Sequence, residues 1–368
     1  MKTLTRLFVF LIFLNFIQFS SVNSNDYEGM ILLPKVIQKI AKNLRPSIVT
    51  IEGFGGLLDS SIRGDGKFKK RVRGFSKPGE GPTTGVIISE DGYIITSTFN
   101  FIREPKIITV TLNNGKKFNA KLLGKDNTRK ICVLKIAVGN EKLKVPEFIT
   151  GKKTKVGQWS VSIGLGYGGD KAAISVGLIS GKNRVFGKAI QTDANISPAN
   201  YGGPLVNVDG KIIGICTPLS PMGQDAFAGF EWYDSGIGFV IPIADCGDII
   251  DRLKNKIDVN FGKLGIHVTI DKKFPKKVMV DLVMPDSPAE KAGLKSGDLI
   301  QKINSHEIEY LNGMKKILGR FESGSKIVMD VKRNNKSLQL KIILGSGKDL
   351  LILPKEKIID KKIKKKKH

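Results

Sequence analysis

The chain has 368 residues, 41% hydrophobic and 26% charged, ordinary values for a globular protein of one to three domains with real cores. Its 41 glycines argue for a turn-rich β protein and against a helical one. The net charge of +26 is carried mainly by lysine, without the aromatic or arginine pattern of a specific nucleic-acid binder. In chain order, Lys2 and Arg6 flank an apolar run, Leu7 to Phe19, with Val22 and Ser24 at the small positions of a cleavage site. Residues 1–24 read as a signal peptide, so the mature chain starts near Asn25 and is exported, periplasmic or secreted. The run is short for a membrane span, and Asn15 and Gln18 interrupt it; left uncleaved, it would tie the protein to a membrane.

Residues 25–45 form an N-terminal segment, with apolar residues at helical spacing from Leu32 to Asn43. Arg45 to Glu52 turns into a β-branched strand. Gly53 to Pro82 is a glycine-rich basic loop without hydrophobic period. Its Arg63-Gly64-Asp65 triplet is of a kind that arises by chance. Short strands follow: GVIIS, YIITS, KIITVTL, NAKLLG and ICVLKIA, punctuated by Asp91-Gly92 and Asn114-Gly115. A second set reads WSVSIG, AISVGLIS, KAIQT, PLVNV, KIIGICT and IGFVI. Two groups of about six strands predict two packed antiparallel barrels, closed by a helix over Ile243 to Lys254. Residues 258–346 form a second unit, and 347–368 a basic tail ending Lys364-Lys365-Lys366-Lys367-His368. The tail reads either as a contact for an anionic surface or as a solvated end of a lysine-biased chain.

Cys132, Cys216 and Cys246 sit in or beside apolar runs, where a free cysteine acts as a small hydrophobe. The odd count implies no disulfide framework, though it leaves room for one bridge; no metal-ligand spacing is present, and no cofactor is implied. Gly164 to Gly169 resembles a nucleotide loop only superficially, since it opens no helix. Asn195-Ile196-Ser197 and Asn335-Lys336-Ser337 are glycosylation sequons, relevant only in a glycosylating host.

The most informative stretch is Gln191 to Val206, QTDANISPANYGGPLV. It resembles the nucleophile loop of trypsin-like serine proteases, especially the HtrA/Deg family. Four other motifs agree in order: Leu44 to Val49, Ser89 to Thr96, Val133 to Ile136 and Gly236 to Pro242. Ser287 to Ile300 and Lys302 to Ile308 resemble the PDZ domain fused to those proteases. The resemblance spans about residues 36–345. It implies an all-β-dominated protein: a trypsin-like double antiparallel β-barrel over 46–254, then an α+β PDZ domain over 258–346.

The catalytic positions depart from the family. Its histidine falls at Phe99, its aspartate at Lys130 and its serine at Tyr201, and the oxyanion-hole glycine is Ala199. A phenyl ring accepts no proton, a lysine puts positive charge where negative is needed, and a phenol is bulkier and less nucleophilic than a serine hydroxyl. Independently of alignment, the three histidines are His267, His306 and His368, so no shift of register restores a Ser-His pair in the barrels. A relocated Ser-Lys dyad, using Lys130 with Ser97, Thr98 or Ser197, is set against Lys130 simply turning to solvent. Cys132 lacks a base.

Peptide binding uses other atoms. The resemblance implies that Lys263, Leu264, Gly265 and Ile266 present N–H groups to a terminal carboxylate. Ile266, Val268, Met314, Ile317 and Leu318 are side-chain pocket candidates, the last four reading equally well as plain core. Three functions follow: an exported pseudoprotease binding C-terminal peptides or unfolded proteins as scaffold, adaptor or holdase in protein quality control; a regulatory subunit of a mixed oligomer with an active relative; or an endopeptidase with unorthodox catalysis. A homo- or hetero-oligomer, trimeric in the family, is the implied assembly.

Overall fold

The computed structural model describes residues 24–56, 81–166, 172–220, 233–270 and 277–347. The signal segment, most of the basic loop with its Arg63-Gly64-Asp65 triplet, the end of the Gly164–Gly169 stretch and the lysine tail lie outside these residues. Helix α1 (Ser24–Leu44) begins well before the apolar spacing at Leu32 and carries Pro34 inside it. Its Ile40 and Leu44 are buried, and Val36, Ile37 and Ala41 pack on the same core.

Twelve strands follow. The first six are β1 (Ile48–Phe54), β2 (Thr83–Ile87), β3 (Tyr93–Ser97), β4 (Ile107–Thr111), β5 (Lys117–Asp126) and β6 (Ile131–Ile136). The next six are β7 (Trp159–Gly164), β8 (Ala173–Arg184), β9 (Ala189–Thr192), β10 (Pro204–Val206), β11 (Ile212–Thr217) and β12 (Gly238–Ile241). They close into two antiparallel barrels, in the orders β1-β2-β3-β6-β5-β4 and β10-β11-β12-β9-β8-β7. The two-residue period explains how they share a core. On β6, Cys132, Leu134 and Ile136 point into the first barrel, while Ile131 and Val133 join the cluster between the barrels. Strand β3 divides in the same way, Ile94 facing inward and Ile95 toward the seam. Both faces are buried, so these strands read as continuous apolar runs. The expected closing helix is split: a short 3-10 turn at Ile243–Asp245, then α2 (Gly247–Lys254), whose Leu253 packs at the seam.

The C-terminal unit contains β13 (Ile266–Ile270), β14 (Val278–Val283), α3 (Pro288–Lys291), β15 (Leu299–Ile303), β16 (His306–Glu307), α4 (Leu311–Leu318), β17 (Lys326–Arg333) and β18 (Lys336–Ile343). The sheet order is β13-β14-β15-β17-β18, with β16 beside β15, so β13 lies at an edge. Ser287 caps α3 by accepting the Glu290 N–H at 3.2 Å, with Pro288 at the first helical turn. Asn334 and Asn335, at φ 48° and 64°, join β17 to β18 as a two-residue turn with both φ positive. The fully buried Asp298 receives Arg333 in two contacts of 2.6 and 2.7 Å.

Candidate functional site

The loop before β10 is an elbow of two successive turns. Asn200 N–H donates to Ser197 O at 2.9 Å, and Gly203 N–H to Asn200 O at 2.8 Å. The second turn has Gly202 at φ +84° in its third position, where a type II turn needs glycine. A Cβ at Gly202 would come within 2.2 Å of Thr84 O and Thr96 Oγ1, so the site is closed to any larger residue. Gly202 N–H donates to Cys216 O, and Cys216 N–H to Gly203 O, tying the elbow to β11.

The side chain held on this elbow is Tyr201, 3% exposed. It lies in the interior of the second barrel with Ile196, Leu205, Ile213 and Val240. Phe99 enters the same cluster from the 3-10 turn Thr98–Phe101, which follows β3 of the first barrel. The Phe99 and Tyr201 rings meet edge to face, centroids 5.2 Å apart at 66°. Tyr233 adds a third ring, 6.1 Å from Tyr201. No spacing in the sequence marks Tyr233.

Lys130 is brought to this corner by backbone. Its carbonyl accepts Thr98 N–H at 2.9 Å and Ser97 Oγ–H at 3.2 Å. The expectation that Lys130 turns to solvent is corrected: it is 7% exposed, at φ +58°. The short turn between β5 and β6 holds it against the 3-10 turn instead. Ser97 also accepts Phe99 N–H at 3.2 Å, so its hydroxyl serves as a helix cap. Ala199 is buried and keeps a negative φ. Its carbonyl accepts Gly166 N–H at 3.2 Å and the Thr84 hydroxyl at 3.3 Å.

All three cysteines are free and buried. Burial pushes the Cys132 thiol far above its ordinary value and Cys216 up to about 12, the Ser162 contact only partly opposing it. A thiol so placed is protonated and inert as a nucleophile. Among the described residues no cluster of metal-ligating side chains occurs, and no helix is long and apolar enough to cross a membrane.

Arg129, next to Lys130, has a separate task that the sequence does not signal. Its Nη1 lies 2.8 Å from Asp126 Oδ2 and 2.8 Å from Glu322 Oε1, while Arg252 Nη1 lies 2.9 Å from Glu322 Oε2. Asn127 Nδ2 donates to Asn260 Oδ1 at 2.7 Å, and Phe186 meets Phe261 edge to face. These contacts fasten the C-terminal unit to both barrels.

In that unit, Gly265 has φ +77°. The carbonyls of Leu264 and Gly265 accept Ala289 N–H and Met284 N–H at 3.0 and 2.9 Å, and Lys263 bonds reciprocally with Gly345. The N–H groups of Leu264 and Gly265 donate to no carbonyl of the described residues. Ile266, Val268 and Leu318 are half-buried at the edge of the core, whereas Met314 and Ile317, 4% and 8% exposed, lie within it. Leu311, unmarked in the sequence reading, shares the half-buried position of Leu318. A hollow of about 540 Å³ over β15 to β18, lined by Lys302, Asp330 and Gln339, shares no residue with either site.

Residues 83–215 match the trypsin-like peptidase domain family, and residues 262–344 the PDZ domain family. A "Probable periplasmic serine endoprotease DegP-like" of Chlamydia muridarum is 32% identical over 343 residues, covering 83% of this chain and 67% of that protein. The chain belongs to the HtrA/DegP family. A relative of the same description from Halomonas elongata is 32% identical over 296 residues, 76% of this chain and 59% of that one. Across these two relatives the HtrA-family chain spans between 59% and 67% of their length. Among solved structures, "HtrA-type protease AlgW with decapeptide" superposes with a TM-score of 0.62 at 25% identity, covering 86% of this chain and 99% of that one. The serine endoprotease from Yersinia pestis gives a TM-score of 0.60 at 26% identity, covering 84% and 97%. The fold is thus the family's trypsin-like double barrel with a PDZ domain.

Proposed function

We propose that this HtrA-family chain is an exported, non-catalytic member that binds the C-termini of peptides or unfolded proteins through its PDZ domain. One observation carries the reading: an aromatic pair, Phe99 on Tyr201, fills the space between the elbow and the 3-10 turn where the family's chemistry needs an imidazole and a hydroxyl. The barrels contain no histidine to replace it. With the phenol buried among Ile196, Leu205 and Val240, attack on a bound carbonyl has neither nucleophile nor proton acceptor.

Binding is independent of those atoms. Strand β13 pairs with β14 on one side, and its other side is the edge of the sheet, where a ligand strand adds. The N–H groups of Leu264 and Gly265 suit a terminal carboxylate, with Lys263 adding charge. Ile266, Val268 and Leu318 supply an apolar seat for the last side chain. Met314 and Ile317 support that seat from the core. The relatives' description as periplasmic agrees with export.

The test combines two measurements on the purified full chain. Casein should not be cleaved, and a C-terminal peptide library should yield binders whose affinity is lost on amidation of the carboxylate. Cleavage that a mock preparation lacks and Tyr201→Ala abolishes would refute the non-catalytic reading. A library without a single binder would refute the binding reading.

A further inference from the structure

We propose that the PDZ groove selects C-terminal segments with an apolar last residue preceded by acidic residues. This rests on the peptide-binding reading above and names its ligand class. The first observation is the phase of α4. Met314 and Ile317 are buried, which fixes the helix face turned to the core. Leu311, Lys315 and Leu318, spaced by four and three, form one stripe on the flank of that face. Leu311 and Leu318 are half-buried against the same core as Ile266 and Val268 of β13. Lys315, exposed, stands between them.

The second observation sets the direction of the ligand. Gly262 N–H donates to Phe321 O at 3.1 Å, and Phe261 bridges to Glu322. The carboxylate loop therefore lies beside the chain leaving α4, near Leu318. A ligand ending at this loop puts its last side chain by Leu318 and Ile266. Each earlier residue steps back about 3.3 Å, and every second side chain returns to the same face. Lys315 lies about 4.5 Å further along the helix from Leu318. The nearest ligand side chain on that face is the one two residues before the end, about 6.6 Å back, which therefore lies within reach of Lys315.

The third observation is charge. Residues 263–270 and 310–320 contain no Asp or Glu, but they contain Lys263, Lys315, Lys316 and Arg320. Neither Lys315 nor Lys316 has a carboxylate within bridging distance among the described residues. The acids around the loop and β13 are Asp286 and Glu290, near Ala289, whose N–H bonds Leu264 O, Asp281, exposed on β14, and Glu322, opposite Phe261 and paired with Arg129 and Arg252. Glu290 accepts the Asp286 N–H at 2.6 Å, which turns its carboxylate toward that turn. The helix wall thus presents Lys315 and Lys316, and the loop Lys263, within about a Debye length, 8–10 Å at ordinary salt, of an added strand. Acidic side chains there are attracted and basic ones repelled.

The experiment is fluorescence anisotropy on the full chain with three labelled decapeptides. All share an apolar last residue, and the three positions before it are Glu, Ala or Lys. The expected order of affinity is Glu, Ala, Lys, with about a tenfold span at low salt that collapses at high salt. Lys315→Glu should narrow that span several-fold, and an unchanged span would overturn the role given to Lys315. Equal affinities, or a preference for Lys, would overturn the inference and leave the binding reading standing. If none of the three binds, or if an amidated Glu peptide binds as tightly as the free acid, the carboxylate-binding reading itself falls and the inference with it.

Discussion

Phe99 and Tyr201 meet edge to face at 5.2 Å inside the second barrel's apolar cluster. Phe99 follows β3 of the first barrel and Tyr201 precedes β10 of the second, so the pair joins the halves by apolar contact. Phe99→Ala should therefore destabilise the fold by about 3–5 kcal/mol, the ordinary cost of removing a buried ring. Tyr201→Ala should cost a similar amount, and the double variant less than the sum, with a coupling of about 0.5–1.5 kcal/mol. Urea denaturation of the four proteins measures this. Strict additivity would mean that the rings do not interact.

Tyr201→Ser alone should restore no proteolysis. The new hydroxyl would sit on an intact elbow, but Phe99 offers no lone pair and the Ser97 hydroxyl is committed to Phe99 N–H and Lys130 O. Casein hydrolysis by the folded variant, checked by circular dichroism, would show that a base has been overlooked.

The strands were legible because Val and Ile alternate between two buried surfaces, and because Asp91-Gly92 and Asn114-Gly115 mark turns whose glycines take φ +99° and +80°. The elbow was legible through Gly202 and Gly203, whose backbone approaches admit no side chain. Other features depend on partners distant in sequence. Lys130 is buried because a turn presses its carbonyl onto Ser97 and Thr98, which no local pattern encodes. Arg129 and Glu322 meet across 193 positions of chain. On α4 the sequence shows apolar residues at Leu311, Met314, Ile317 and Leu318, but packing alone separates the inward pair from the flanking pair.

The thiols give a prediction about reactivity. Burial raises Cys132, Cys216 and Cys246 above the ordinary thiol value, so at pH 8 each is protonated and shielded. A thiol-exchange reagent should label none of the three in the native protein within minutes and all three in denaturant. Rapid native labelling of any one would place it at the surface.

Glu322 links the PDZ unit to the barrels, and its titration makes that link sensitive to acid. Burial raises its carboxyl, but Arg129 and then Arg252 outweigh burial and hold it below the ordinary value. A carboxyl depressed in the folded state binds protons more weakly there than in the unfolded chain. Its stabilisation is therefore complete above the unfolded value, about pH 4.3, and is lost as pH falls through the lower folded value. Arg252 contributes less than Arg129, because about a third of its side chain is exposed. Glu322→Ala should lower stability at pH 7 by about 1–3 kcal/mol, since it leaves Arg129, 14% exposed, with Asp126 as its remaining carboxylate. Glu322→Gln keeps the shape without the charge, so it should flatten the acid limb of the stability–pH curve below about pH 4.3. Chemical denaturation at stepped pH measures both. A Gln variant with an unchanged acid limb would show that Glu322 carries no charge-dependent part of the attachment.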